Sequence, residues 1–480
     1  MGQPDEKHIE SGTTPLPPIN ERKLMTKIDL HLLPCLCVMY MITFLDRVNI
    51  GNAAALGMRE DLNIVTGLKY NAALMIFFIP YILFEIPSNI LLRKLKPHVW
   101  LSFCVFCFGL ILIFQGLVET WSALVVTRWF LGTFETGMLP GCVYLLGMWY
   151  KRCEAQKRYT FFASSTILAG AFGGLLASAI GKMEGIRGYS GWRWVFILEG
   201  MGTCLMAAVV FYVLPDFPED CKWLDERELE FLCDKMAGEA GKLTGNVRMG
   251  WRDILGVFRD WKIFVAACMF FGQVVSAYGG YAYFAPTIIK TYGYGEIKTQ
   301  LYSVPPWAAA YGCSLILACL SDYFRNRYVF AVLPILLGMA GYGILLSIHD
   351  TAHHSIQYGA LFLITCGCFS AGPVFLCWFG MNLGGHTRRS VGTAFQIGFG
   401  NIGGIVGTYS FLEKDAPLYR NGYIIGLSFA CFSAAMATVY LIGVWYENRQ
   451  RERIMAEGRQ VTAEDEERLG DLACTYRYAY

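Results

Sequence analysis

From residue 30 almost to its end, the chain alternates between long apolar stretches and short polar, mostly basic ones. Each apolar stretch runs for roughly twenty residues, enough for a helix to cross about 30 Å of hydrocarbon. Twelve helical spans are predicted. The first six are Leu30–Ile50, Asn71–Leu92, His98–Val118, Ser122–Leu146, Tyr159–Ile180 and Trp194–Leu214. The second six are Ile263–Ile289, Ser303–Leu320, Tyr328–Ile348, Tyr358–Phe379, Val391–Phe411 and Tyr423–Trp445. The expected fold class is an all-α polytopic membrane protein with twelve transmembrane helices in two pseudo-symmetric six-helix halves. The divisions are a tail (1–29), a first half (30–214), a central loop (215–262), a second half (263–446) and a second tail (447–480). Within the central loop, Trp223, Leu224, Glu228, Leu229, Phe231 and Leu232 alternate as a short amphipathic helix does. That helix is expected to tether the halves or to lie on the bundle or the inner leaflet.

An internal repeat supports the two halves. Gly170-Ala-Phe-Gly173-Gly174 in the fifth span matches Gly400-Asn-Ile-Gly403-Gly404 in the eleventh, 230 residues later. The same offset sets the basic turn after the second span against the one after the eighth, with Leu92 opposite Asp322. Repeats of this kind are common in transporters, although small residues also recur wherever membrane helices pack closely.

Composition agrees with a bilayer. The 480 residues are 55% hydrophobic and 16% charged, with a mean hydropathy of +0.40, against about a quarter charged in soluble proteins. A net charge of +2, with the basic residues dispersed among loops and tails, gives no nucleic-acid footprint. Most of the seventeen Cys sit inside apolar spans as small packing residues, and Cys35-Leu-Cys37 and Cys366-Gly-Cys368 lack metal-site spacing. Neither a nucleophile–base pair nor a nucleotide loop is legible, so no enzyme, metal or cofactor is predicted. The polar N-terminus has no removable signal, leaving the first span as targeting signal. Lys and Arg are densest in the tight turns after even-numbered spans: Arg93, Lys94 and Lys96; Lys151, Arg152, Lys157 and Arg158; Arg325 and Arg327; Arg388 and Arg389. The positive-inside bias then puts both termini in the cytoplasm, with the plasma membrane as the expected location.

Ionisable side chains inside lipid are costly and mark function by default. The first half carries Asp46, Arg47, Glu85, Arg128, Glu135 and Glu199, and the second-half spans carry none. Arg128 and Glu135 stand two helical turns apart, on one face and about 10 Å apart along the axis. They are expected to share a cavity without touching. A guanidinium suits a carboxylate ligand, and a carboxyl in a low-dielectric cavity can load and release a proton. Arg47 and Arg128 are therefore the candidates for substrate charge, and Glu135, Asp46 and Glu85 for proton coupling. A structural ion pair is the alternative for Arg128. Asp46 and Arg47 must face different ways, Glu85 suits a gate, and Glu199 is expected near the outer interface. Gln273, Tyr278, Gln396 and Asn401 could orient a ligand by hydrogen bonding, or bond helix to helix. Asp322, Arg325 and Arg93, in the basic turns, are the expected gating residues.

Five stretches combine into a specific pattern: Phe44-Leu-Asp46-Arg47-Val-Asn49-Ile-Gly51-Asn52, Arg128-Trp-Phe-Leu-Gly132-Thr-Phe-Glu135, Gly191-Trp192-Arg193-Trp194, Leu214-Pro-Asp216-Phe-Pro218-Glu219 and Phe399-Gly-Asn401-Ile-Gly403-Gly404. Over residues 27–449 the chain resembles the anion:cation symporter family of the major facilitator superfamily, most of all its fungal allantoate and nicotinate permease branch. The resemblance implies a proton-coupled carrier of small organic anions such as vitamins, ureides and dipeptides, and adds weight to Arg47, Arg128 and Glu135. The superfamily's acidic–basic turn is degraded after the second span, where Leu92 takes the acidic place, and better kept from Ala318 to Arg327. The fifth span lacks the proline of the antiporter signature. The expected function is proton-coupled uptake by alternating access, with organic anion, protons and lipid as partners. Metabolite export and a non-transporting receptor are the alternatives.

Overall fold

A computed structural model describes residues 19–65, 67–150, 152–218, 221, 223–240, 256–348, 353–384, 386–457 and 470–480; the remainder of both tails and the loop segment 241–255 lie outside it. Secondary structure in these residues is helical, without strands. The helices are α1 (Glu21–Ala53), α2 (Lys69–Met75), α3 (Phe78–Lys94), α4 (Pro97–Gly116), α5 (Trp121–Glu135), α6 (Met138–Trp149), α7 (Arg152–Ile180) and α8 (Gly191–Val213) in the first part of the chain. They continue with α9 (Glu226–Ala240), α10 (Trp261–Ala277), α11 (Ala285–Lys290), α12 (Glu296–Phe324), α13 (Arg327–Ser347), α14 (His354–Met381), α15 (His386–Thr408) and α16 (Arg420–Ala456).

Every expected span falls on one helix or on a consecutive pair. Among the described residues, eight helices are long and apolar enough to cross a membrane. The other expected spans fall short of that length or apolarity for visible reasons. The second is broken between α2 and α3 and the fourth between α5 and α6, at Thr136 and Gly137. The seventh is broken by a wider π turn, Tyr278–Ala282, before Pro286. Glycines 279 and 280 there remove side-chain constraint, and a proline cannot donate to the preceding turn. The eleventh begins with the polar run His386-Thr-Arg-Arg-Ser. α1 is likewise interrupted, at Ala54–Met58, so the first helix of each half breaks at its end remote from the chain termini. Such discontinuous helices are common in transporters. One expectation changes: α10 begins at Trp261, so the second half brings a buried Lys262 into its first helix, paired with Glu447 at 3.0 Å.

Of the repeat glycines, Gly170, Gly174 and Gly404 lie where helices from opposite halves approach, while Gly173, Gly400 and Gly403 face helices of their own half. A Cβ on Gly174 of α7 would come within 2.6 Å of Ser303 Oγ and 3.0 Å of the Gln300 carbonyl on α12. One on Gly404 of α15 would strike the Phe78 ring of α3. Spans five and eight, and spans eleven and two, thus meet in equivalent ways. At the end remote from the termini, Asn71 of α2 donates to the Thr408 carbonyl at 2.5 Å, Lys290 to the Ala55 carbonyl at 3.0 Å and Gln300 to the Asn52 carbonyl at 3.0 Å. Nearer the termini, α7 meets α12 through Ser164 and Ser314, 3.2 Å apart.

The amphipathic helix expected in the central loop is α9. Leu232 is buried, Trp223 stacks on His31 at 4.3 Å, and Glu228 accepts from Lys27 of α1 at 2.7 Å. The Lys27 hydrogen bond holds the Glu228 carboxyl below the usual carboxylate range. A depressed acid stabilises the fold above its unfolded value and loses that contribution as pH falls through the folded one. Because both partners are partly exposed, the tether contributes less than about 1 kcal/mol. Glu228→Gln should therefore speed amide hydrogen exchange in α9 at neutral pH and leave α4 unchanged.

Residues 470–480, expected only as part of a tail, dock on the second-half helix ends. Asp471 pairs with Arg388 at 2.8 Å, Asn448 exchanges two 3.0 Å hydrogen bonds with the Tyr478 backbone, and the Ala479 amide donates to Asn382 at 2.7 Å.

Candidate functional site

α1 supplies the centre of the site. Asp46 and Arg47 are consecutive, so a helix must send them in different directions. Arg47 turns toward α5 and the π turn after α10. Its Nη2 forms a buried ion pair with Glu135 Oε1, and its Nη1 donates to the Tyr278 hydroxyl at 2.9 Å. Its guanidinium also lies 5.0 Å from the Phe77 ring centroid and 5.2 Å from that of Tyr81. Tyr278 is stacked on Tyr283 at 5.4 Å, within the interruption that ends α10. The break in α10 thus brings a second-half hydroxyl to a first-half cation.

Arg128 of α5 is 1% exposed. Its Nη1 donates to the Arg47 backbone carbonyl at 3.3 Å, and its Nε and Nη2 have no hydrogen-bond partner. Arg128 and Glu135 do not touch, as their spacing predicts; Arg47 stands between them. Gly132, on the intervening turn, lets α5 pass against the break between α2 and α3, where a Cβ would strike the Phe77 carbonyl.

Asp46 turns toward α8 and accepts from the Thr203 hydroxyl at 2.8 Å. Asn49, one turn further along α1, donates to Glu199 of α8 and accepts from Asn52 at 2.8 Å. The expected outer-interface position of Glu199 is therefore corrected: α8 starts at Gly191, and Glu199 lies buried two turns in, against α1. Asn49 and Thr203 were missed by sequence reasoning, which weighed charge first. Their signal was available, since Asn49 belongs to the α1 motif and Glu199 follows Gly191-Trp192-Arg193-Trp194 by one turn.

The other candidates do not converge on this centre. Glu85 of α3 is buried, and a Cβ on Gly398 of α15 would come within 2.9 Å of its carboxylate. It sits where the second and eleventh spans meet. Gln273 donates to the Cys368 carbonyl at 2.7 Å, Gln396 to the Ala266 carbonyl at 3.4 Å, and Asn401 to Ile397 of its own helix at 3.1 Å. These amides are engaged in helix contacts, the alternative open for them from sequence. Asp322 pairs with Arg327 at 2.6 Å, while Arg325 is exposed in a left-handed conformation at the end of α12. The Arg93 side chain lies outside the described residues. Two of the family-like motifs serve structure: Asp216 accepts from the His98 amide at 3.2 Å at the start of α4, and Trp192 donates to Asp61 at 2.8 Å.

Residues 36–408 match the Major Facilitator Superfamily. Over 459 residues the chain is 31% identical to "MFS transporter prlL" of a fungal species, covering 93% of this chain and 92% of that protein. It is 31% identical over 471 residues to "MFS-type transporter cnsO" of Penicillium expansum, covering 96% and 90%. It is 27% identical over 466 residues to "Major facilitator-type transporter hxnP" of Emericella nidulans, covering 96% and 93%. Among solved structures, a bacterial homologue of the human lysosomal transporter Spinster, inward-facing and unoccupied, superposes with a TM-score of 0.62 at 15% identity, covering 88% of this chain and 97% of that one.

Proposed function

Because the chain belongs to the major facilitator superfamily and is a membrane transporter of that type, we propose that it carries a small organic anion, a vitamin, ureide or other carboxylate, into the cell together with protons. The observation that carries this reading is Arg128, a fully buried cation with two guanidinium nitrogens lacking partners. A buried unmet donor costs about 1–3 kcal/mol, which an arriving carboxylate would recover through a charge-assisted bond. Arg47, whose two terminal nitrogens are taken by Glu135 and Tyr278, links α1 to the second half beside it. Transport then proceeds by two halves, with the divisions predicted from sequence, rocking about this site in the plasma membrane with both termini inside. Asp322 with Arg327, and Glu85 at the α3–α15 contact, serve as gates.

Reconstitution tests the proposal. In proteoliposomes holding the full chain, labelled nicotinate, allantoate and a dipeptide are offered under an imposed inward proton gradient. Uphill accumulation of one of them, abolished by a protonophore, is the expected result. Uptake that ignores the gradient refutes proton coupling, movement only against it identifies an exporter, and binding without flux identifies a receptor.

A further inference from the structure

The buried charges of the site do not balance. Two guanidiniums, Arg47 and Arg128, lie with three carboxyls, Asp46, Glu135 and Glu199, and none of the five is more than 9% exposed. Glu135 is committed to Arg47. That leaves Asp46 and Glu199, facing one another across the packed helices α1 and α8, with Arg128 as the one remaining countercharge. Neutral donors hold one oxygen of each carboxyl, Thr203 on Asp46 at 2.8 Å and Asn49 on Glu199. The other oxygens, Asp46 Oδ1 and Glu199 Oε1, have no partner. Asn49 follows Asp46 by three residues and Thr203 follows Glu199 by four, so the crossed bonds set the carboxyls about one helical turn apart. They act on each other electrostatically.

We propose that Asp46 and Glu199 form a shared proton site, separate from the Arg47–Glu135 pair, and that an organic anion reaching Arg128 fixes the proton there. Two carboxylates in a dry interior with one nearby cation cannot both remain ionised without a large desolvation cost. One proton removes the excess charge. An anion at Arg128 neutralises the cation that Asp46 otherwise sees, so the proton is held more firmly while the anion is bound, and the anion more firmly while the proton is held. When the site opens, the proton leaves Asp46 Oδ1 or Glu199 Oε1 for water as the anion leaves Arg128. One proton and one negative charge move together. The groups facing the pair are Asn49 from α1, Thr203 and Cys204 from α8 and Arg128 from α5, with Cys107 of α4 beside Cys204 and Arg47 turned away to Glu135. α7 presents Gly173 to Asn49, and the turn Ala54–Met58 packed on α8 carries no titratable side chain. The link to the anion rests on the function proposed above; the proton site itself does not.

Dicyclohexylcarbodiimide, an apolar reagent that modifies protonated carboxyls, tests the site without a substrate. The purified full-length protein in detergent is treated at mildly acid and at alkaline pH, and the adduct is located by peptide mass spectrometry. The expected label falls on Asp46 or Glu199, declines toward alkaline pH, and drops to background when Asp46→Asn and Glu199→Gln are combined. Arg128→Gln, which removes the countercharge, should extend labelling to higher pH. Absence of label on both residues overturns the proposal, as does label on Glu135 alone or a pH profile unmoved by Arg128→Gln. If the label appears as expected and uptake still ignores a proton gradient, the proton site stands and the symport reading fails.

Discussion

Arg47→Ala should cost about 3–5 kcal/mol of stability, the usual penalty for stranding one member of a buried ion pair. The loss comes from Glu135, which would keep a charge at 1% exposure with one oxygen newly unpaired and the other already so. Combining Arg47→Leu with Glu135→Leu should recover most of the loss, because an apolar pair of similar volume carries no charge to desolvate. Thermal unfolding in detergent micelles of Arg47→Leu, Glu135→Leu and the double variant gives the coupling directly. Equal and additive losses would mean that the two side chains act independently. The recovered double variant should still transport nothing, since the bond from Arg47 to Tyr278 that ties α1 to the second half is gone. Transport near the wild-type rate in that variant would remove Arg47 from the mechanism.

Much of this arrangement was legible from sequence, for reasons the structure makes specific. Helices were read from length and apolarity, and lipid-facing helices such as α4 and α8 satisfy their backbone bonds internally, so local sequence decides them. The breaks at Tyr278–Ala282 and Ala54–Met58 were not legible, because a π turn keeps the apolar composition of the helix it interrupts. Arg47, Arg128 and Glu135 stood out because charge in an apolar run is rare. Their partners did not. Which carboxyl Arg47 takes depends on how α1 crosses α5, a tertiary fact that no spacing along either helix encodes. Glu199 was misplaced because its apparent span began at Trp194, three residues late, which left it close to the boundary. The docked C-terminal segment was invisible for a different reason. Its order comes from Asn448, Arg451, Asn382 and Arg388 capping its backbone and Asp471, and a polar run gives no periodicity to read.

Arg128→Lys should fold and reach the membrane yet raise the Michaelis constant for the transported anion by roughly tenfold to a hundredfold, the worth of a charge-assisted hydrogen bond of about 1.5–3 kcal/mol. Lysine keeps a positive charge near Asp46, so the charge balance of the buried cluster survives and thermal stability should change little. What lysine lacks is the planar fork. Arg128 spends Nη1 on the Arg47 carbonyl and leaves Nε and Nη2 for a ligand, a division that three donors on a single ammonium cannot reproduce in one plane. The structural alternative, an arginine bracing α5 against α1, predicts the opposite pattern. A brace acts through the Nη1 bond, so its loss would lower the unfolding temperature and leave the affinity of the surviving protein unchanged. Measuring uptake kinetics and thermal unfolding on the same preparation separates the two. An unchanged Michaelis constant with lowered stability would make Arg128 a strut and send the anion site elsewhere.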